Sequence, residues 1–129
     1  MTGEKPELSE FRSLIGILPE AAIMFVLVWI LAAFGEEMAY RGYVIDRGAA
    51  LGGRSAPAYL IAMVVVSLLF GIGHYYQGVA GMISSAFSGL LFGSLYLMAR
   101  RNLWLPILTH GVSDTLGLGY IYFGFVPDL

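Results

Sequence analysis

The sequence contains no cysteine, so disulfides, thiol catalysis and cysteine-ligated zinc are excluded. Charge is scarce as well: 12% of the 129 residues are Asp, Glu, Lys or Arg, where a soluble domain carries about 25%. No basic cluster suggests nucleic acid, and a formal net charge of −2 identifies no partner. The first 13 residues, with Glu4, Lys5, Glu7, Glu10 and Arg12, are polar and acidic, unlike the basic-then-apolar start of a secretory signal. What remains is 58% hydrophobic with a mean hydropathy of +0.78. That is the composition of an integral membrane protein, and 17 glycines suit helices that pack closely. The length allows one domain.

The order of polar and apolar residues divides the chain into a tail over residues 1–13 and a domain over 14–126. A first hydrophobic segment runs from about Leu14 to Tyr43, longer than the ~20 helical residues a bilayer requires. Asp46, Arg47, Gly48, Gly52, Gly53, Arg54 and Pro57 then read as a connection. A second segment covers Ala58 to Tyr75, and Tyr75-Tyr76-Gln77-Gly78 reads as an interfacial turn. The third, about Val79 to Met98, repeats small residues as Ser85-x-x-x-Gly89-x-x-x-Gly93, so a neighbour can approach that face. The fourth runs from about Trp104 to Phe125. The expected fold is all-α, a polytopic bundle of about four transmembrane helices in the cell membrane. Arg47 and Arg54 lie in the first connection and Arg100 and Arg101 in the third, which the positive-inside rule puts on the cytoplasmic side with both termini opposite.

The anomaly in this apolar chain is Glu36-Glu37-Met38-Ala39-Tyr40-Arg41. A charge at bilayer depth costs about 2.5–3.5 kcal/mol on insertion scales, so three ionisable groups within six residues should face protein or a watery cavity. On an α-helix, Glu37 and Arg41 share a face, whereas Glu36 lies ~140° from Arg41. Glu37 and Arg41 are therefore expected to pair and support the helix, leaving Glu36 free for chemistry. Both histidines are also in apolar segments: His74 follows Phe70-Gly71-Ile72-Gly73, and His110 shares a helix face with Asp114. Glu36, His74, His110 and Asp114 could meet in one cavity. A carboxylate and an imidazole would take a proton from water while the other imidazole and its neighbour stabilise an oxyanion.

These residues carry a resemblance. Glu36-Glu37-x-x-x-Arg41, Phe70-x-x-x-His74 and His110-x-x-x-Asp114 resemble, in order, the three motifs of the CAAX prenyl protease 2 / bacteriocin-processing (CPBP, Abi) family of intramembrane endopeptidases. Arg41-Gly42 and Trp104-Leu105-Pro106-Ile107 resemble it too, over roughly residues 32–116. The resemblance implies a membrane-embedded, glutamate-dependent peptidase acting on a peptide or a lipidated protein near its C-terminus. It implies that Glu36 and His74 activate water and that His110 and Asp114 form the oxyanion side; Phe70 is a candidate for substrate contact, with packing as the alternative role. The last motif position is often Asn in the family. An ionised Asp114 cannot donate to an oxyanion, so it must be protonated, act through His110 or bind a metal. Family members usually have further helices before the first motif helix, and this chain begins just ahead of that helix, which leaves room for a fragment, a minimal form or an oligomer.

A divalent metal such as zinc would have Glu36, His74, His110 and Asp114 as its ligands, but the His-Glu-x-x-His helix that places two histidines on one ion is not in the sequence. The favoured mechanism requires no cofactor. Two other functions use the same residues: a non-catalytic immunity or interaction protein, and a proton or ion pathway. Membrane lipid is an expected partner in every case. Depth sets a condition on catalysis. In straight antiparallel spans, Glu36 late in the first helix and His74 late in the second would lie near opposite faces, unless the first helix continues past the bilayer or the second starts deep within it.

Overall fold

Leu18 opens a helix that does not end until Leu51 in the computed structural model, which describes residues 13–125. Pro19 is in its first turn, where the missing N–H has no helical partner to lose. The winding changes twice along this rod: α1 (Leu18–Leu27), a π-helix, π1 (Val28–Ile45), then α2 (Asp46–Leu51). In π1 each N–H pairs one residue further back than in an α-helix; such winding mostly appears as single turns, frequently at functional sites. Here it extends over 18 residues and contains the whole Glu36–Arg41 motif.

The expected break at Asp46 is absent. Polar and glycine residues there do not stop the helix because their neighbours are core: Ile45 and Ala49 are fully buried with Tyr59, Ala62, Met63, Val66 and Tyr96. Gly48 lies so close to the next helix that a Cβ would sit 3.1 Å from that of Ala62. Packing overrides the local signal, and the connection begins only at Gly52. The polar tail expected over 1–13 lies, apart from Ser13, outside the described residues, as does residue 126.

After Ser55, whose Oγ accepts from the Ala58 N–H, α3 (Ala56–Gly73) runs back along α2 and π1. A 3-10 turn, Tyr75–Gln77, and Gly78 with a φ of 73° reverse the chain into α4 (Gly78–Met98). The α3–α4 pair is the most extensive helix contact. Two members of the small-residue stripe make it: a Cβ on Gly89 would lie 3.1 Å from Ser67 Cα, and one on Gly93 2.6 Å from Met63 Cγ. The third, Ser85, faces a cavity instead.

The last helix, α5 (Trp104–Tyr122), packs on π1 and on α4. Gly111 admits the Trp29 ring, whose atoms lie 2.7–2.8 Å from where a Cβ would be, and Trp29 Nε1 donates to Thr115 Oγ1 at 3.1 Å. A methyl group here must displace an indole. Gly111→Ala is therefore expected to lose about 1–3 kcal/mol of stability, read as a lower thermal unfolding midpoint in detergent.

No strand occurs among the described residues. Among the described residues, three helices are long and apolar enough to cross a membrane: Leu18–Leu51, Ala56–Gly73 and Tyr75–Met98. α5 has comparable length, but His110, Asp114 and several small residues dilute its hydropathy. The two arginine-bearing connections meet at one end of the bundle. Arg101 Nη1 donates to the Tyr59 hydroxyl at 2.7 Å, that hydroxyl donates to Asp46 Oδ1 at 2.7 Å, and Arg54 pairs with Asp46 at 3.0 Å. Hydrogen bonding to Asp46 holds the Arg54 guanidinium above its ordinary range.

Candidate active site

The length of the first rod resolves the depth conflict. Glu36 lies fifteen residues before Leu51, and His74 eighteen residues after Ala56. Both side chains line one cavity, so the two residues lie at similar depth. Glu36 is a mid-rod residue rather than a helix end.

A cavity of about 480 Å³ opens at that depth. Glu36 from π1, His74 after α3, and His110 and Asp114 from α5 all line it. Met24, Val28, Ala32, Leu118 and Ile121 supply apolar wall, and Ser85, Ser88 and Ser113 supply hydroxyls. The four polar side chains singled out from the sequence thus share one space.

Neighbouring carboxylates in the chain have opposite situations. Glu37 is 0% exposed and is absent from the cavity lining. Its Oε1 accepts from Arg41 Nη1 at 3.0 Å and faces His110 Nδ1 at 2.9 Å. Its Oε2 is buried with no partner among the described residues. Glu36 is half-buried, lines the cavity and has no hydrogen-bond or ion-pair partner among the described residues. The α-helical angle that separates Glu36 from Arg41 does not apply here, because the wider π turn brings residues four and five apart toward one side. What selects Glu37 is the fixed position of the guanidinium. Arg41 is held between Phe70 and Phe92, with ring centroids at 5.0 and 5.5 Å, and Nη2 donates to the Gly89 carbonyl of α4 at 3.2 Å.

The histidines are oriented by what they touch. His74 Nδ1 is 2.7 Å from the Phe70 carbonyl oxygen, which can only accept, so Nδ1 carries a hydrogen and, in the neutral ring, the lone pair is on Nε2. His110 stacks on Phe92 at 4.6 Å between ring centroids. Its Nε2 lies 3.3 Å from Asp114 Oδ2, and a proton must sit between those atoms, since otherwise two lone pairs would face each other. The Asp114 side chain is 35% exposed, so of the two carboxylates on His110 it is the one with room to move.

Phe70 has two attachments. It lines the cavity, as a substrate-contacting residue would, but it is buried against Tyr40, Arg41 and His74. Among the described residues, no group of three or more His, Asp or Glu side chains is arranged to hold a metal ion. The Glu36, His74, His110, Asp114 set therefore does not fit a metal centre as it stands. Sequence reasoning missed Phe92, which seats both Arg41 and His110, and Trp29, which docks α5. Both look like ordinary apolar helix residues, and nothing local distinguishes them.

The profile of a family described as type II CAAX prenyl endopeptidase Rce1-like matches residues 18–116, most of the chain, including Glu36, Glu37, Arg41, Phe70, His74, His110 and Asp114. No curated protein and no solved structure shows a significant match.

Proposed function

Because the chain belongs to the Rce1-like family of type II CAAX prenyl endopeptidases, we propose that it hydrolyses a peptide bond within the membrane, using water activated by Glu36 and His74. The protease family implies a peptide or protein substrate, and the C-terminal part of a lipidated protein is the class we propose. The observation that carries the proposal is the contrast within one dipeptide. Glu37 is committed to Arg41 and His110, while Glu36 stands free in a cavity with both histidines.

The chemistry follows from these positions. Glu36 and the lone pair on His74 Nε2 accept a proton from water as its oxygen adds to the substrate carbonyl carbon. The negative charge then develops on the carbonyl oxygen. His110, held from behind by Glu37, offers its Nε2 side to that oxygen as Asp114 gives way. When the C–N bond breaks, the proton taken from water passes to the leaving amine. Glu37 and Arg41 touch no reacting atom and act by fixing His110 and the helix. With α5 as a fourth span, the bundle is a multi-pass protein of the cell membrane. α5 then brings His110 and Asp114 to the depth of Glu36.

The test is cleavage by protein reconstituted in liposomes, with prenylated and unmodified C-terminal peptides as substrates. Folded protein that cleaves none of them, nor a panel of leader peptides, would overturn the proposal. The last motif position gives a finer check. Asp114→Asn keeps a group that can hydrogen-bond His110 and adds an N–H that can donate to the oxyanion, so turnover is expected to persist. Asp114→Ala removes the partner that orients His110 and is expected to lower kcat, by no more than the about 10²–10³-fold that losing one oxyanion-stabilising group costs.

A further inference from the structure

At the opposite end of the helices from the cavity's turn, the start of α3, the end of α4 and the arginines that follow α4 enclose another hollow of about 390 Å³. It is lined by Ala56, Tyr59, Leu60, Leu97, Arg100 and Arg101. Leu60 and Leu97 belong to α3 and α4 and provide an apolar wall along the helices, while the arginines stand at the helix ends. Charge at this end is one-sided. Among the described residues, Arg47, Arg54, Arg100 and Arg101 share this end with a single carboxylate, Asp46, which Arg54 already neutralises. Arg101 uses one N–H on the Tyr59 hydroxyl and keeps the rest of its fork. The Arg100 guanidinium is exposed and has no partner among the described residues.

The backbone adds an independent observation. Among the described residues, those with left-handed φ other than glycine are Arg54, Arg100 and Arg101, at 55°, 55° and 68°. All belong to this end. Left-handed positions ordinarily take Gly, or Asn and Asp, because a Cβ is crowded there. Folding alone would favour glycine in these turns, so the side chains kept there are expected to have a use of their own.

We propose that this hollow binds the phosphate headgroup of an anionic phospholipid, with Arg100 and Arg101 on the phosphate and an acyl chain along Leu60 and Leu97. A planar guanidinium fork suits phosphate oxygens. Basic pockets between membrane helices are where such headgroups are recognised. A bare phosphate would use the arginines but not the apolar wall, so the combination selects a lipid. The site is separate from the catalytic cavity, and the proposal stands whether or not the protein is active.

The experiment measures thermal unfolding of the protein in neutral detergent with added phosphatidylglycerol, phosphatidylcholine or inorganic phosphate. Phosphatidylglycerol is expected to raise the midpoint in a saturable way, and the other two to leave it nearly unchanged. Arg100→Gly is the decisive variant, because it deletes the guanidinium while relieving the left-handed backbone. It should unfold in plain detergent at the same temperature as the parent or higher, yet bind phosphatidylglycerol about five-fold more weakly. An equal response to phosphatidylcholine or to phosphate alone would overturn the proposal. So would an undiminished phosphatidylglycerol response in Arg100→Gly.

Discussion

Glu36→Gln is expected to lower peptide turnover by about 10²–10⁴-fold, the range that a positioned general base contributes, while the unfolding midpoint stays where it was. The amide has the size of the carboxylate and cannot take a proton from water. Stability should not follow activity, since Glu36 has no hydrogen-bond or ion-pair partner among the described residues. The comparison requires turnover in liposomes and unfolding in detergent on the same preparation. Turnover close to the parent's would remove Glu36 from the chemistry. Lost turnover together with a lowered midpoint would mean that Glu36 is structural.

Arg41→Leu is expected to have the opposite profile, with a loss of about 3–5 kcal/mol in stability from leaving one member of a buried ion pair alone. Arg41 is 2% exposed and Glu37 0%, so solvent cannot take over the exposed end of the pair. The substitution also removes the guanidinium from between Phe70 and Phe92 and the donor from the Gly89 carbonyl. One side chain ties π1 to both α3 and α4, and Glu37 ties it to α5 through His110. The loss should therefore appear as global unfolding rather than fraying of one helix. Denaturant titration of both proteins in the same detergent measures it. A difference below ~1 kcal/mol would show that the pair carries little of the fold. Replacing Glu37 and Arg41 together by leucine should recover part of the loss, because a buried pair exchanged for apolar side chains is often near neutral.

The local signals in the sequence were of unequal value. Ser85-x-x-x-Gly89-x-x-x-Gly93 marked a close helix contact, since small side chains are a direct record of how near a neighbour comes. The Glu37–Arg41 spacing marked an ion pair, although the helix that contains it is π-wound rather than α. The cluster from Asp46 to Gly48 misled. It has the residues of a turn, yet Ile45 and Ala49 on either side bury against α3 and carry the helix on to Leu51. That extension is what brings Glu36 to the depth of His74. A reading confined to local propensity cannot obtain it, because the stabilising surface belongs to residues 59–66 and 96.

By itself the sequence determined that the chain is helical and apolar enough for a membrane, that its few buried charges require partners, and which side chains could do chemistry. Lipid gives unpaired polar groups nowhere to go, so their mere presence in apolar segments is informative. The i,i+4 spacing had already named Glu37 as the partner of Arg41; only the tertiary structure decided where that pair is anchored and what the other glutamate faces. The fixed guanidinium between Phe70 and Phe92 takes Glu37, and His110 of a distant helix adds to its hold. Glu36 is left lining the cavity. That anchoring depends on contacts between residues up to 73 positions apart, which no local spacing encodes.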